Sequence, residues 1–146
     1  KKYNNIIVPT DGSVNSKRAL EHAVVIFVLG ATITLVYVAN IVSVISNFDQ
    51  IPNASGYVTE QVALDMEEEG KGILDEFAKS IPQNIEVKSV FEVGSPGPAV
   101  LSVAKKYNAD LIVMGSRGLS RIQSVLLGSV GRYVSSHSGL PVLIIR

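Results

Sequence analysis

Five runs of apolar residues divide the chain: NIIVPT at 5–10, ITLVYVA at 33–39, IEVKSVFEV at 85–93, DLIVMG at 110–115 and PVLIIR at 141–146. Each has the length and branched composition of a strand and is bounded by turn-forming residues. Between them the period becomes helical. Ser13 is a cap for a helix from Val14 to Leu29, with Leu20, Ala23, Val24, Phe27 and Val28 on one face. A polar loop with Pro52, Asn53 and Gly56 leads into a long helix whose stripe is Val62, Met66, Gly70, Ile73, Phe77 and Ile81, with Glu67 to Glu69 as its solvated flank. Ser95-Pro96 opens a third helix with Val100, Val103, Ala104 and Tyr107 on one side, and a fourth runs from near Ser129 to near Gly139.

Strands alternating with helices predict an α/β fold in one domain over residues 1–146: an open five-stranded parallel sheet with helices on both faces. Parallel neighbours need a covering crossover, and the apolar middle of DLIVMG suits a strand buried on both sides. Ligands of such sheets bind beyond the carboxyl ends of the strands, where strand order reverses. The loops that follow strands are therefore where chemistry is expected.

The uncharged stretch between His22 and Asp49 is long enough to suggest a membrane span. Gly30 interrupts it, and the residues after Gly30 are β-branched, so it reads as a buried helix feeding a buried strand, with no membrane partner. No secretory leader is expected after Lys1. The absence of cysteine suits the cytoplasm and removes thiolate metal sites. His22 and His137 stand in no ligand-spaced cluster, so no metal-binding residues are expected.

Thirteen basic and thirteen acidic residues cancel, which argues against nucleic acid as a partner. Their distribution is uneven. Residues 111–146 hold four arginines and no acid, so an anion would prefer the C-terminal quarter. That quarter also holds the frame Gly115-x2-Gly118-x9-Gly128-Ser129, accompanied by Arg117, Arg121 and Arg132.

Two post-strand loops stand out: Pro9-Thr10-Asp11-Gly12-Ser13 and Gly115 to Gly128. Gly115 and Gly118 permit positive φ and close approach of N–H groups to an anionic oxygen. Gly128-Ser129 opens the last helix, whose first amides lack internal partners and favour an anion. Ser129 either donates to that anion or caps the helix. Asp11 either accepts hydrogen bonds from ribose hydroxyls or an adenine amino group, or forms an Asx turn into Ser13. Val38 and Ala39 with Met114 either line an apolar slot for a purine or are core. No G-x-x-x-x-G-K-[ST], G-x-G-x-x-G or G-x-S-x-G motif is present, which removes P-loop, dinucleotide and nucleophile-elbow chemistries.

IIVPTDGS, SPGPAV and DLIVMGSRG continuing through Gly128-Ser129 to PVLIIR resemble the universal stress protein family, in its nucleotide-binding branch, over essentially the whole chain. The resemblance implies strand order 3-2-1-4-5, which sets the two loops on either side of the crevice. It also implies a bound ATP or related adenine nucleotide, with any divalent cation held through the phosphates, and a homodimer paired through the last strand. Pro9, Thr10, Asp11 and Val38 then fall at the adenosine end. Met114, Gly115, Arg117, Gly118, Gly128, Ser129 and Val130 correspond to ribose and phosphate positions. The reading is a ligand-dependent sensor or regulator. The alternatives are a slow ATPase or self-phosphorylating enzyme using Ser129 or a nearby hydroxyl, and a nucleotide-free dimeric interaction module. No catalytic residue is identified, because no base stands near the motif. A receiver-type switch is weaker, since Asp11 has no acidic partner beside it.

Overall fold

The computed structural model describes residues 3–26, 30–40, 56–116 and 128–146. Nine elements alternate along the chain. They are β1 (Asn5–Pro9), α1 (Val14–Val25), β2 (Thr32–Ala39), α2 (Gly56–Lys79), β3 (Glu86–Val93), α3 (Pro96–Lys106), β4 (Leu111–Gly115), α4 (Ser129–His137) and β5 (Val142–Ile145). The strands form one parallel sheet in the order β3-β2-β1-β4-β5. The fold class and strand order expected above are both observed.

Side-chain alternation along the strands divides the core into two layers. Ile6, Val8, Ile33, Leu35, Leu111, Val113 and Ile145 face α1 and α2, packing with Ala19, Leu20, Ala23, Leu74 and Phe77. Ile7, Val36, Ile112 and Met114 face α3 and α4, packing with Val100, Val103, Ala104 and Val134. The apolar stretch after His22 supplies Ala23, Ala31, Ile33, Leu35 and Val36 to this interior. Among the described residues no helix is long and apolar enough to cross a membrane.

Three helix boundaries differ from the pattern-based expectation. α1 ends at Val25, where Ile26 caps it, rather than at Leu29; residues 27–29, with Phe27 and Val28, lie outside the described residues. α2 stops at Lys79 because Ser80 turns back, its N–H and its hydroxyl both donating to the Phe77 carbonyl at 3.1 and 2.6 Å. Ile81 therefore enters the core from beyond the helix. α4 ends at His137, two residues short of Gly139. The loop with Pro52 and Asn53 also lies outside the described residues.

At the amino ends of the strands, one side chain ties the two central strands together. Asp110, just before β4, accepts from the N–H groups of Asn4 at 2.7 Å and Asn5 at 3.0 Å, while Asn5 Nδ2 donates to the Asn108 carbonyl. Asp110→Ala leaves two amides without this acceptor and is expected to destabilise the fold by about 1–3 kcal/mol, measured by urea denaturation. Ligand binding at the opposite end of the sheet should be unchanged.

Candidate functional site

The switch point of the sheet lies between β1 and β4: β1 feeds α1 on one face, and β4 feeds α4 on the other. In open α/β sheets such a reversal of strand order leaves a crevice beyond the carboxyl ends of the two strands. At the β1 end, Thr10 N–H donates to the Val36 carbonyl at 2.8 Å, which extends the strand contact by one residue beyond Pro9. The chain then turns sharply. Gly12 takes φ +83°, a conformation that favours glycine, and Asp11 Oδ1 accepts from Ser13 N–H at 2.9 Å. Ser13 Oγ in turn accepts from Ser16 N–H at 3.1 Å and caps α1.

Asp11 therefore does form the Asx turn. That turn uses one oxygen, and the second has no hydrogen-bond partner among the described residues. The same carboxylate is thus fixed by the fold and still able to accept from a ligand.

On the β4 side, the two glycine-containing segments come together. Gly128 N–H donates to the Ser116 carbonyl at 2.6 Å, and Ser116 N–H donates to the Ile145 carbonyl at 2.7 Å. The chain leaving β4 thus re-enters at α4 beside its point of departure. Arg117, Gly118 and Arg121 lie between these anchors and outside the described residues.

The anchors change the expected donor set. The amides of Ser116 and Gly128 are consumed by the fold. The first bond into α4 runs from Arg132 N–H to the Gly128 carbonyl at 3.0 Å, and no side chain caps the helix. Among the described residues, the amides of Ser129, Val130 and Gly131 are left without protein acceptors, the set that an anion at a helix N-terminus engages. Ser129 is the first helical residue and is exposed, so its hydroxyl is not the cap; Gly128 holds that position with φ −69° and ψ 168°.

Gly115 needs a different explanation from the one its motif suggests. It does not adopt a positive φ. A Cβ there would lie 2.8 Å from Asn15 Cβ and 2.9 Å from the Asn15 carbonyl carbon, so glycine is required for α1 to cross close to β4.

Val38, Ala39 and Met114, given either to an apolar slot or to the core, are placed as follows. Val38 and Val130, both half-buried, pack against the cluster that contains Met114. Ala39 does not join them, because its neighbour Val38 takes that face and strand alternation turns Ala39 to the α1–α2 side, where it is buried. Pro9 is half-buried at the end of β1, and Thr10 is buried, its hydroxyl 3.3 Å from Ser16 Oγ. Among the described residues no cluster of three or more acidic or histidine side chains is disposed to hold a metal ion.

The sequence reading missed a group centred on Tyr37 in β2. Tyr37 stacks on Phe91 at 5.8 Å between ring centroids, and burial together with the Glu69 and Asp11 carboxylates raises the pKa of its phenol above the ordinary value. Nothing in the local pattern joins these residues, which come from β2, β3, α2 and the β1 loop.

A model of the universal stress protein family matches residues 2–146. The chain belongs to the universal stress protein family. Among universal stress proteins, YxiE of Bacillus subtilis is 31% identical over 147 residues, covering 99% of each chain. The solved structure of MJ0577 superposes with a TM-score of 0.87 at 26% identity, covering 99% of this chain and 96% of that one. MJ0577 is a universal stress protein of Methanocaldococcus jannaschii. A universal stress protein solved in complex with cAMP superposes with a TM-score of 0.61 at 28% identity, covering 100% and 98%.

Proposed function

We propose that this universal stress protein binds an adenine nucleotide, ATP or a relative of it, and acts as a ligand-dependent sensor or regulator. The observation that carries the reading is what the strand order brings to the carboxyl ends of β1 and β4: three amides at the start of α4 without acceptors among the described residues, an Asp11 carboxylate with one oxygen engaged there, and the apolar group Val38, Met114 and Val130. Those features match the three parts of a nucleotide. Phosphate oxygens accept from the amides of Ser129, Val130 and Gly131, with the Ser129 hydroxyl as a further donor. Ribose or adenine donors reach Asp11, and the purine lies beside the apolar group next to Pro9 and Thr10. The family relation to a chain solved with cAMP supports the same ligand class.

Arg117 and Gly118 complete the assignment by their places in the glycine frame. Gly115 contributes by admitting α1 close to the crevice. A divalent cation would be held by the nucleotide's phosphates. The cytoplasm is the proposed location, and a homodimer through β5, an edge strand of four residues with Leu143 on its surface, is the proposed assembly.

Asp11→Ala separates the adenosine end from the phosphate end. ATP affinity is expected to fall by roughly tenfold or more, the loss of a charge-assisted hydrogen bond, while the affinity for inorganic triphosphate changes by less than about twofold. Calorimetric titration of both ligands checks this. Equal losses for the two would misplace Asp11.

A further inference from the structure

The turn from β1 into α1 buries three hydroxyl side chains, Thr10, Ser13 and Ser16, with Thr10 and Ser16 each only 5% exposed. A buried hydroxyl costs stability unless it is hydrogen-bonded, and valine fills the volume of threonine without that demand. The nucleotide reading gives the polar contact of this turn to Asp11 and leaves the three hydroxyls without a duty.

Their hydrogen bonds run in one direction. Ser16 Oγ lies 2.9 Å from the Ser13 carbonyl, which can only accept, so the single Ser16 proton is donated there. The 3.3 Å contact between Thr10 Oγ1 and Ser16 Oγ is then donated by Thr10. With its own proton committed, Thr10 Oγ1 acts as an acceptor, and the Gly12 N–H donates to it at 3.5 Å. The two ends of this chain are Gly12 and Ser13, the residues that follow Asp11. Ser13 N–H closes on Asp11 Oδ1 at 2.9 Å, and Ser16 N–H holds Ser13 Oγ at 3.1 Å. Thr10, which precedes Asp11, is anchored to β2 by its own N–H on the Val36 carbonyl at 2.8 Å. Both flanks of Asp11 are thus tied, while its second carboxylate oxygen has no partner among the described residues.

We propose that Thr10 is a positioning residue for Asp11: its hydroxyl gives no proton to the nucleotide but, through Ser16, fixes the turn that presents the second Asp11 oxygen to the adenosine end of the ligand. The proposal rests on the nucleotide reading of Asp11 and deepens it, replacing a direct polar contact from Thr10 with a hydroxyl chain reaching from α1 to the turn.

The test is calorimetric titration of Thr10→Val, Thr10→Ser and Ser16→Ala with ATP and with inorganic triphosphate, and of Thr10→Val again in an Asp11→Ala background. Thr10→Val is expected to lose about three- to tenfold in ATP affinity, part of what a hydrogen bond to a charged group carries, with less than about twofold change for inorganic triphosphate. Thr10→Ser restores the hydroxyl and recovers the affinity that valine loses. Ser16→Ala removes the acceptor of the Thr10 proton and gives the same selective loss. In the Asp11→Ala background Thr10→Val costs no further ATP affinity, the coupling expected of residues in one hydrogen-bond network. In the ligand-free protein the Ser13 amide should exchange about three- to tenfold faster in Thr10→Val than in the wild type, because its bond to Asp11 is loosened. Wild-type ATP affinity in both Thr10→Val and Ser16→Ala, equal losses for ATP and triphosphate, or an undiminished loss in the Asp11→Ala background overturns the proposal. If the wild type binds no ATP, the nucleotide reading falls, while faster Ser13 exchange in Thr10→Val still shows the hydroxyl chain holding Asp11; unchanged exchange overturns the chain itself.

Discussion

Gly128→Asp is expected to raise the stability of the protein and abolish its binding of ATP. Gly128 occupies the N-cap of α4 with φ −69° and ψ 168°, extended backbone that any residue adopts, and no side chain caps the helix. Aspartate is a favoured N-cap. Its carboxylate would accept from the amides of Val130 or Gly131 and oppose the positive end of the helix dipole, for a gain of about 0.5–1 kcal/mol. The same carboxylate would occupy the donors assigned to phosphate and place a negative charge among them, so ATP affinity should fall by at least about a hundredfold. Thermal unfolding and calorimetric titration of the one variant measure both signs. A protein made more stable by the aspartate that still bound ATP with wild-type affinity would show that the amides of α4 are not the phosphate site.

Two glycines on α2 are expected to respond in opposite directions to alanine. In a helix, glycine to alanine normally stabilises by about 0.5–1 kcal/mol, because alanine has less backbone freedom to lose. Gly72 is exposed with nothing within 4 Å of its added Cβ, so Gly72→Ala should realise that gain. At Gly70 the added carbon would come within 2.6–2.7 Å of both Tyr37 and Phe91, distances that force the stacked rings to move. Overpacking of this kind costs about 1–3 kcal/mol and outweighs the helix gain, so Gly70→Ala should lower the denaturation midpoint. Because Tyr37 adjoins Val38 in β2, Gly70→Ala should also weaken nucleotide binding, whereas Gly72→Ala should not. Urea denaturation of the pair checks the signs, and a stabilising Gly70→Ala would mean that α2 does not press on Tyr37.

What the chain disclosed in advance follows from where each signal is stored. The strands were legible because β1 and β4 are covered on both faces and so read as unbroken apolar runs, IIV and LIVM. Their order was not legible from periodicity; it came with the resemblance carried by the glycine frame, and the pairing of β1 with both β2 and β4 bears it out. The end of α1 was misplaced because the apolar pattern continues past Val25, and a hydrophobic stripe does not mark where helical hydrogen bonding stops.

At the candidate site, the residues of the β1 loop and the start of α4 were identifiable from local chemistry. Their individual duties were not. Gly115 was read as permitting a positive φ and close approach of amides to an anion, and it is a close-packing position against Asn15, a fact that depends on a residue 100 positions away. Ser129 offered itself as a cap because serine prefers that role, yet Gly128 holds the cap and leaves the hydroxyl exposed. The Tyr37–Glu69–Asp11 group was invisible for the same reason as the Gly115 contact, since each member comes from a different element.

The central claim is that one crevice, built from the ends of β1 and β4 and the start of α4, holds an adenine nucleotide. The most direct test follows the backbone amide resonances of the nucleotide-free protein during titration with ATP. Saturable shifts concentrated at Gly12, Ser129, Val130 and Gly131, with the amino-end residues Asn4, Asn5 and Asp110 unmoved, are the predicted result. Absence of saturable shifts at millimolar ATP, or shifts centred on the amino ends of the strands, would contradict it.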